Sequence, residues 1–151
     1  MRNDKLTIYL AGKMSGLNKE EYNGWRKSIT EDLIAYARSC GSNVQVINPA
    51  DYFDFDDMER HLEKEVMQFD LNMVRQSDVL IVNIDDASDS IGTAIEVYEA
   101  NRLNVPVIAY TECGIVNDDI HPWIENCLST VQMNRNELIT YIRDFYMERY
   151  I

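Results

Sequence analysis

Cysteine, histidine, glycine and proline are all scarce in this chain of 151 residues, and each shortage closes off a class of protein. The three cysteines, Cys40, Cys113 and Cys127, are odd in number, widely spaced and without a CxxC pair. That pattern predicts reduced thiols and argues against a disulfide framework. The two histidines, His61 and His121, stand alone with no ligand spacing around them, so no metal is expected and nothing else in the chain asks for a cofactor. Six glycines and three prolines form no linker, and there are no repeats or low-complexity runs. The expectation is one domain over residues 1–151, long enough to bury a real core.

Long apolar runs are missing as well. The run over 6–12 is too short and too early for a secretory signal, and no segment approaches membrane-spanning length, which predicts a soluble, cytoplasmic protein with no membrane partner. Basic residues are few: 14 Lys and Arg stand against 26 Asp and Glu, for a net charge of −12. The cations are scattered. Polymeric nucleic acid is therefore an unsuitable partner, because affinity for it rests on clustered cations that neutralise phosphates.

What the chain does contain is ordered alternation. Apolar patterning predicts strand 6–11, helix 18–39, strand 43–48, helix 57–77, strand 78–84, helix 93–104, strand 105–110, a short strand near 129–133 and helix 135–148. Strands alternating with helices give an α/β fold, a flavodoxin/Rossmann-like doubly wound parallel sheet of five strands, expected in the order 2-1-3-4-5. In that order the loops after the first and third strands, 12–16 and 85–92, border the switch point where such sheets bind ligands.

Two carboxylates stand out against this frame. Leu62, Val66, Phe69, Met73 and Val74 recur at three- and four-residue spacing on one helical stripe, and Asp70 lies within it. A charge in an apolar stripe is either a capped or salt-bridged core residue or part of a site. Glu96 follows the apolar strand and acidic turn, on the helix opened by Gly92-Thr93-Ala94-Ile95. Thr93-x-x-Glu96 is also a capping-box spacing, so from spacing alone cap and catalyst stand level.

Asp70-Leu-Asn-x-x-x-x-x-Asp78, an apolar strand, then Ser90-x-Gly92-x-x-x-Glu96 together resemble the nucleoside 2-deoxyribosyltransferase family and the related (deoxy)nucleoside 5'-monophosphate N-glycosidases. Ile8-Tyr9-Leu10-Ala11-Gly12-Lys13-Met14-Ser15-Gly16 is similar to that family's first strand and glycine turn. The likeness spans residue 6 to about residue 110. It departs at Tyr98, where the family commonly has glycine, and this bears on pocket size and substrate choice. The resemblance implies Glu96 as nucleophile, Asp70 as proton donor and acceptor, and Tyr9 as the phenol that holds Glu96; without it Tyr9 is simply a strand residue facing a core. It implies a small nucleotide or nucleoside as partner, contacted by Gly12, Lys13, Met14, Gly16, Asp89, Ser90 and Gly92. On its own Lys13 reads first as a solvated loop lysine.

Nucleoside-acting relatives typically carry Asp six residues before the nucleophile, to hold sugar hydroxyls, whereas nucleotide-acting relatives carry Ser. This chain has Ser90 there, with Asp89 beside it. One phosphate needs no basic patch, since amides at a helix amino end can hold it, with Gly16 or Gly92 allowing close approach. Cleavage of a nucleotide's N-glycosidic bond is thus the first expectation. Base exchange between deoxynucleosides and a non-catalytic nucleotide-binding module are the alternatives. A homodimer or larger assembly is also expected, from the apolar content of 126–131 and of the helix with Leu138, Ile139, Ile142, Phe145 and Tyr146. The resemblance implies Asn126 or Ser129 as the residue that reaches a neighbour's pocket.

Overall fold

A computed structural model describes residues 4–52, 63–114 and 120–151. The elements are β1 (Leu6–Ala11), α1 (Lys19–Cys40), β2 (Val44–Ile47), α2 (Glu63–Arg75), β3 (Val79–Asn83), α3 (Ile91–Arg102), β4 (Val107–Tyr110), α4 (Pro122–Glu125), β5 (Thr130–Gln132) and α5 (Arg135–Phe145). All strand pairings are parallel, in the order β2-β1-β3-β4-β5. Among the described residues no helix is long and apolar enough to cross a membrane.

Alternation along each strand splits the core into two layers. Leu6, Ile8 and Leu10 of β1 pack with Ile29 and Leu33 of α1 and Leu138, Ile139 and Ile142 of α5. Tyr9 and Ala11 point the other way, into a layer with Val74 of α2 and Val97 and Ala100 of α3. Strand parity thus delivers Tyr9 to the face covered by α2 and α3.

Several boundaries differ from the sequence expectation. The predicted helix over 57–77 is described from Glu63; its first turns, with His61 and Leu62, lie outside the described residues. The third helix starts at Ile91, two residues before the predicted start, because the Ser90 side chain caps it. Arg135–Phe145 ends before the predicted 148 and a 3-10 turn, Met147–Tyr150, follows. Pro122–Glu125, one helical turn capped by the His121 side chain, was not predicted.

The apolar content of α5 is also accounted for within the chain. Leu138, Ile139 and Ile142 are buried against the sheet, which leaves Phe145 as that helix's exposed large apolar side chain. The larger uncovered patch is on α3 and α4, where Ile91 and Trp123 are each 80% exposed and Tyr98 58%.

Candidate functional site

The carboxyl ends of β1 and β3 open onto a cleft of about 500 Å³ lined by Ser15, Val66, Asp70, Gly92, Ile95 and Glu96, among others. Three elements converge on it. The Tyr9 hydroxyl of β1 donates to Glu96 Oε2 of α3. Asp70 of α2 lines the same cleft, and its Oδ1 is buried without a hydrogen-bond partner. Leaving a buried polar atom unpaired is costly, so an orphaned acceptor at a cleft wall is a place where a ligand group fits.

Helix geometry removes the capping reading of Glu96. Ser90 is the N-cap: its Oγ accepts from the Thr93 amide at 3.3 Å and lies 2.8 Å from Thr93 Oγ1. Thr93 is then the third helical residue and Glu96 the sixth, beyond reach of the cap amide. The spacing Thr93-x-x-Glu96 is therefore not a capping box here, and the carboxyl is committed to Tyr9 instead.

Burial dominates the acid-base chemistry. It pushes Asp70 up to about 6, with the Arg26 charge acting in the opposite sense. It pushes Glu96 up to about 8; the Tyr9 hydrogen bond lowers it, the Asp70 charge raises it and Arg26 lowers it. Burial, then the charges of Glu96 and Asp70, hold Tyr9 well above the ordinary phenol range, so it remains a donor. The two carboxyls feel each other's charge and titrate as a pair, which between about 6 and about 8 carries about one proton. One ionised and one protonated carboxyl is the complement that nucleophilic attack with acid assistance requires.

Arg26 was not foreseen. It is fully buried on α1, in the stripe Tyr22, Arg26, Ile29, Leu33 and Ala37. Its Nη2 donates to the Gly12 carbonyl at 2.9 Å and its Nη1 to the Tyr22 carbonyl. Gly12 is required at that place: an added Cβ would lie 2.6 Å from Cζ2 of Trp25. Gly16, at φ +79, closes the turn in a conformation that side chains resist. Gly92, on the first turn of α3, has open space where a Cβ would be and leaves the cleft wall low.

Other predicted residues are dispersed. Lys13 and Met14 are half-buried in the β1–α1 turn, and Asp89 is exposed on a 3-10 turn, none of them lining the cleft. Ser90 and Tyr98 line a neighbouring depression with Trp123 and Cys127, separated from the cleft by Ile91 and Ile95, which line both. The Tyr98 ring therefore does not narrow the cleft. Asn126 is exposed at the end of α4. The Ser129 hydroxyl accepts from the Val107 amide at 3.1 Å, at the amino edge of the sheet and away from its own chain's cleft. Among the described residues no group of three His, Cys, Asp or Glu is arranged to hold a metal ion.

Comparison with known proteins gives this geometry a context. Among solved structures, a conserved protein from Enterococcus faecalis aligns with a TM-score of 0.73 at 16% identity, over 93% of this chain and 98% of that one. A 2-deoxyribosyltransferase from the psychrotolerant Bacillus psychrosaccharolyticus aligns at 0.61 and 24% identity, over 89% and 91%. The CMP N-glycosidase BcmB of Clostridium botulinum aligns at 0.52 and 15%, over 92% and 98%. No curated protein matches the chain. Those identities speak for the fold alone. Kinship rests on the family model for nucleoside 2-deoxyribosyltransferase, which matches residues 8–122. That span includes Tyr9, Asp70 and Glu96, and the chain belongs to the nucleoside 2-deoxyribosyltransferase family of enzymes.

Proposed function

We propose that this protein cleaves the N-glycosidic bond of a (2'-deoxy)nucleoside 5'-monophosphate through a covalent glycosyl-Glu96 intermediate. The reading is carried by one observation, the pairing of a Glu96 held by Tyr9 with an unpartnered Asp70 Oδ1 in the same cleft. In the first step a Glu96 carboxylate oxygen bonds to C1' as the C1'–N bond breaks, and Asp70 gives its proton to the departing base. In the second step Asp70 takes a proton from water, which attacks C1' and releases Glu96. Tyr9 keeps its proton throughout and fixes the attacking carboxylate. The empty pair's proton rests by preference on Glu96, so the reactive arrangement is the minor one in which it has moved to Asp70.

Support for a nucleotide comes from the amino end of α3. The amides of Ile91 and Gly92 lead this 12-residue helix with no intrahelical acceptor, and Gly92 leaves room beside them. A neutral Ser90 as cap leaves the helix end attractive to a phosphate, which an Asp would repel. Lys13, Met14 and Gly16 belong to the turn facing this end from β1, and we assign them to the sugar phosphate. Base exchange is the second reading, favoured by the family match itself; it differs only in that a free base replaces water in the second step. The exposed apolar patch of Ile91, Tyr98 and Trp123 adjoins the cleft, and we assign it to a homodimer that brings Asn126 near the partner's site.

Incubation with a panel of nucleosides and 5'-monophosphates, with and without a free base, tests the proposal, with products identified by mass. Base and sugar phosphate appearing from a nucleotide without acceptor is the expected result. Exchange that requires an added base would install the transferase reading. Binding without any release would refute both.

A further inference from the structure

Arg26 is a guanidinium with no exposed surface and, among the described residues, no ion pair within 4.0 Å. Its hydrogen bonds go to two backbone carbonyls, those of Gly12 and Tyr22, and its Nε has no partner. A buried cation without a contacting anion is costly to keep, and arginine does not shed its proton readily. What stands against that cost acts through space. The carboxylates whose charge favours Arg26 against its burial are Glu96 first and then Asp70.

The mounting of this side chain is equally specific. The guanidinium carbon lies 4.6 Å from the centre of the Trp25 ring. Trp25 and Arg26 together occupy the space that a side chain at position 12 would need, at 2.6 and 3.4 Å from an added Cβ. The Gly12 carbonyl is then held by Nη2. The residue that follows β1 and opens the turn is thus clamped from α1.

We propose that Arg26 is a positioning residue of this site: a buried cation that fixes the Gly12 end of the β1–α1 turn and supplies the counter-charge for the Glu96 and Asp70 carboxyls. It touches no substrate, since none of it reaches the surface. The proposal rests on the reading of Glu96 and Asp70 as the reacting pair. The groups that act on Glu96 by hydrogen bond or charge are Tyr9 of β1, Arg26 of α1 and Asp70 of α2, with Glu63 and Lys64 of α2 exposed on the same cleft. Of these, Arg26 is the one buried cation. By lowering the cost of a negative charge on Glu96, it raises the share of molecules in which the pair's one proton is on Asp70.

The experiment is a carbon-13 NMR titration of protein labelled in its glutamate carboxyls, with the Glu96 signal assigned by its loss in Glu96→Gln. In Arg26→Gln the Glu96 midpoint is expected about one pH unit higher than in wild type, and Arg26→Lys is expected to recover most of that difference. The kcat/KM profile of Arg26→Gln moves upward by the same amount, with kcat falling more than KM changes. Thermal melts report whether each variant folds. If Arg26→Gln does not, the wild-type protein decides: its Arg26 Nε signal is expected to shift with the Glu96 midpoint. An unchanged Glu96 midpoint in a folded Arg26→Gln, or an Arg26 signal flat across that midpoint, overturns the proposal. Neither titration requires turnover, so a protein inactive on every substrate would sink the proposed function and leave this test standing.

Discussion

Removing a single oxygen, in Tyr9→Phe, separates the chemistry from the fold. The Tyr9 ring is fully buried among Leu80, Val82 and Val97, and phenylalanine keeps all of that packing. What is lost is the hydrogen bond to Glu96 Oε2. A hydrogen bond to a charged group contributes about 1.5–3 kcal/mol. At about 1.36 kcal/mol per decade, the loss predicts a fall in kcat/KM of roughly 10- to 150-fold. The direction in pH is set as well. Among the influences that lower Glu96 from its burial-raised position near 8, the Tyr9 hydrogen bond is the largest, so its loss carries Glu96 further upward. Wild type is expected to give a bell-shaped profile: activity fails below about 6, where the pair takes a second proton, and above about 8, where it loses the last one. In Tyr9→Phe the bell moves to higher pH. The assay is base release from a 5'-monophosphate, followed by absorbance across the pH range on protein shown to melt like wild type. A folded variant with wild-type kcat/KM and an unmoved bell would refute the reasoning. A rise in KM at constant kcat would make Tyr9 a binding group instead.

Other perturbations follow from the same geometry. Glu96→Gln is expected to abolish turnover and stabilise the fold. The folded-state midpoint of Glu96 is raised from 4.5 to about 8, so its contribution to stability is complete below about 4.5 and is lost as pH rises toward 8; the gain in Tm should therefore be larger near pH 8 than near pH 5, and an equal gain at both would count against a buried carboxyl. Asp70→Asn removes the proton donor, so rates on poor leaving-group bases should fall most and the alkaline limb should disappear from the profile; equal losses on activated and unactivated substrates would argue for simple positioning. Ser90→Asp keeps a good N-cap but sets a negative charge beside the α3 amino end, and the preference for a 5'-monophosphate over its nucleoside should drop by roughly ten- to a thousandfold. An unchanged ratio would move the phosphate elsewhere. Trp123→Glu is expected to shift sedimentation toward monomer, and no shift would remove the α3–α4 patch as the contact.

The sheet was legible because its strands are short apolar runs set between amphipathic helices, and the observed 2-1-3-4-5 is one of the two common orders for a sheet covered on both faces. Asp70 was legible for a related reason, a carboxylate out of place in a stripe. Arg26 breaks the stripe of α1 in the same manner, yet arginine on a helix reads as surface by default, its long stem able to carry the charge to water. The role of Glu96 could not be separated from capping by spacing, because the difference lies in where the helix begins. A hydroxyl at position 90 moves that start by two residues, and capping strength at Ser90 and Thr93 is too similar to rank from sequence. How much of α5 the sheet would take up was not legible, because sequence does not say how much of a flank α1 already covers. On that face α1 supplies Ile29 and Leu33, and α5 supplies Leu138, Ile139 and Ile142.

The division of β1 between two layers limits how this protein can vary. Within six residues, Leu6, Ile8 and Leu10 serve one layer while Tyr9 and Ala11 serve the other. Inserting or deleting one residue ahead of Tyr9 would exchange the two sets, turning the phenol toward α1 and α5 and an aliphatic side chain toward Glu96. Core packing and the Tyr9–Glu96 contact are therefore written in the same parity along this strand. Length changes in the family's descendants can accumulate in the turns at either end of β1, but a frame of one within it would be lost twice over.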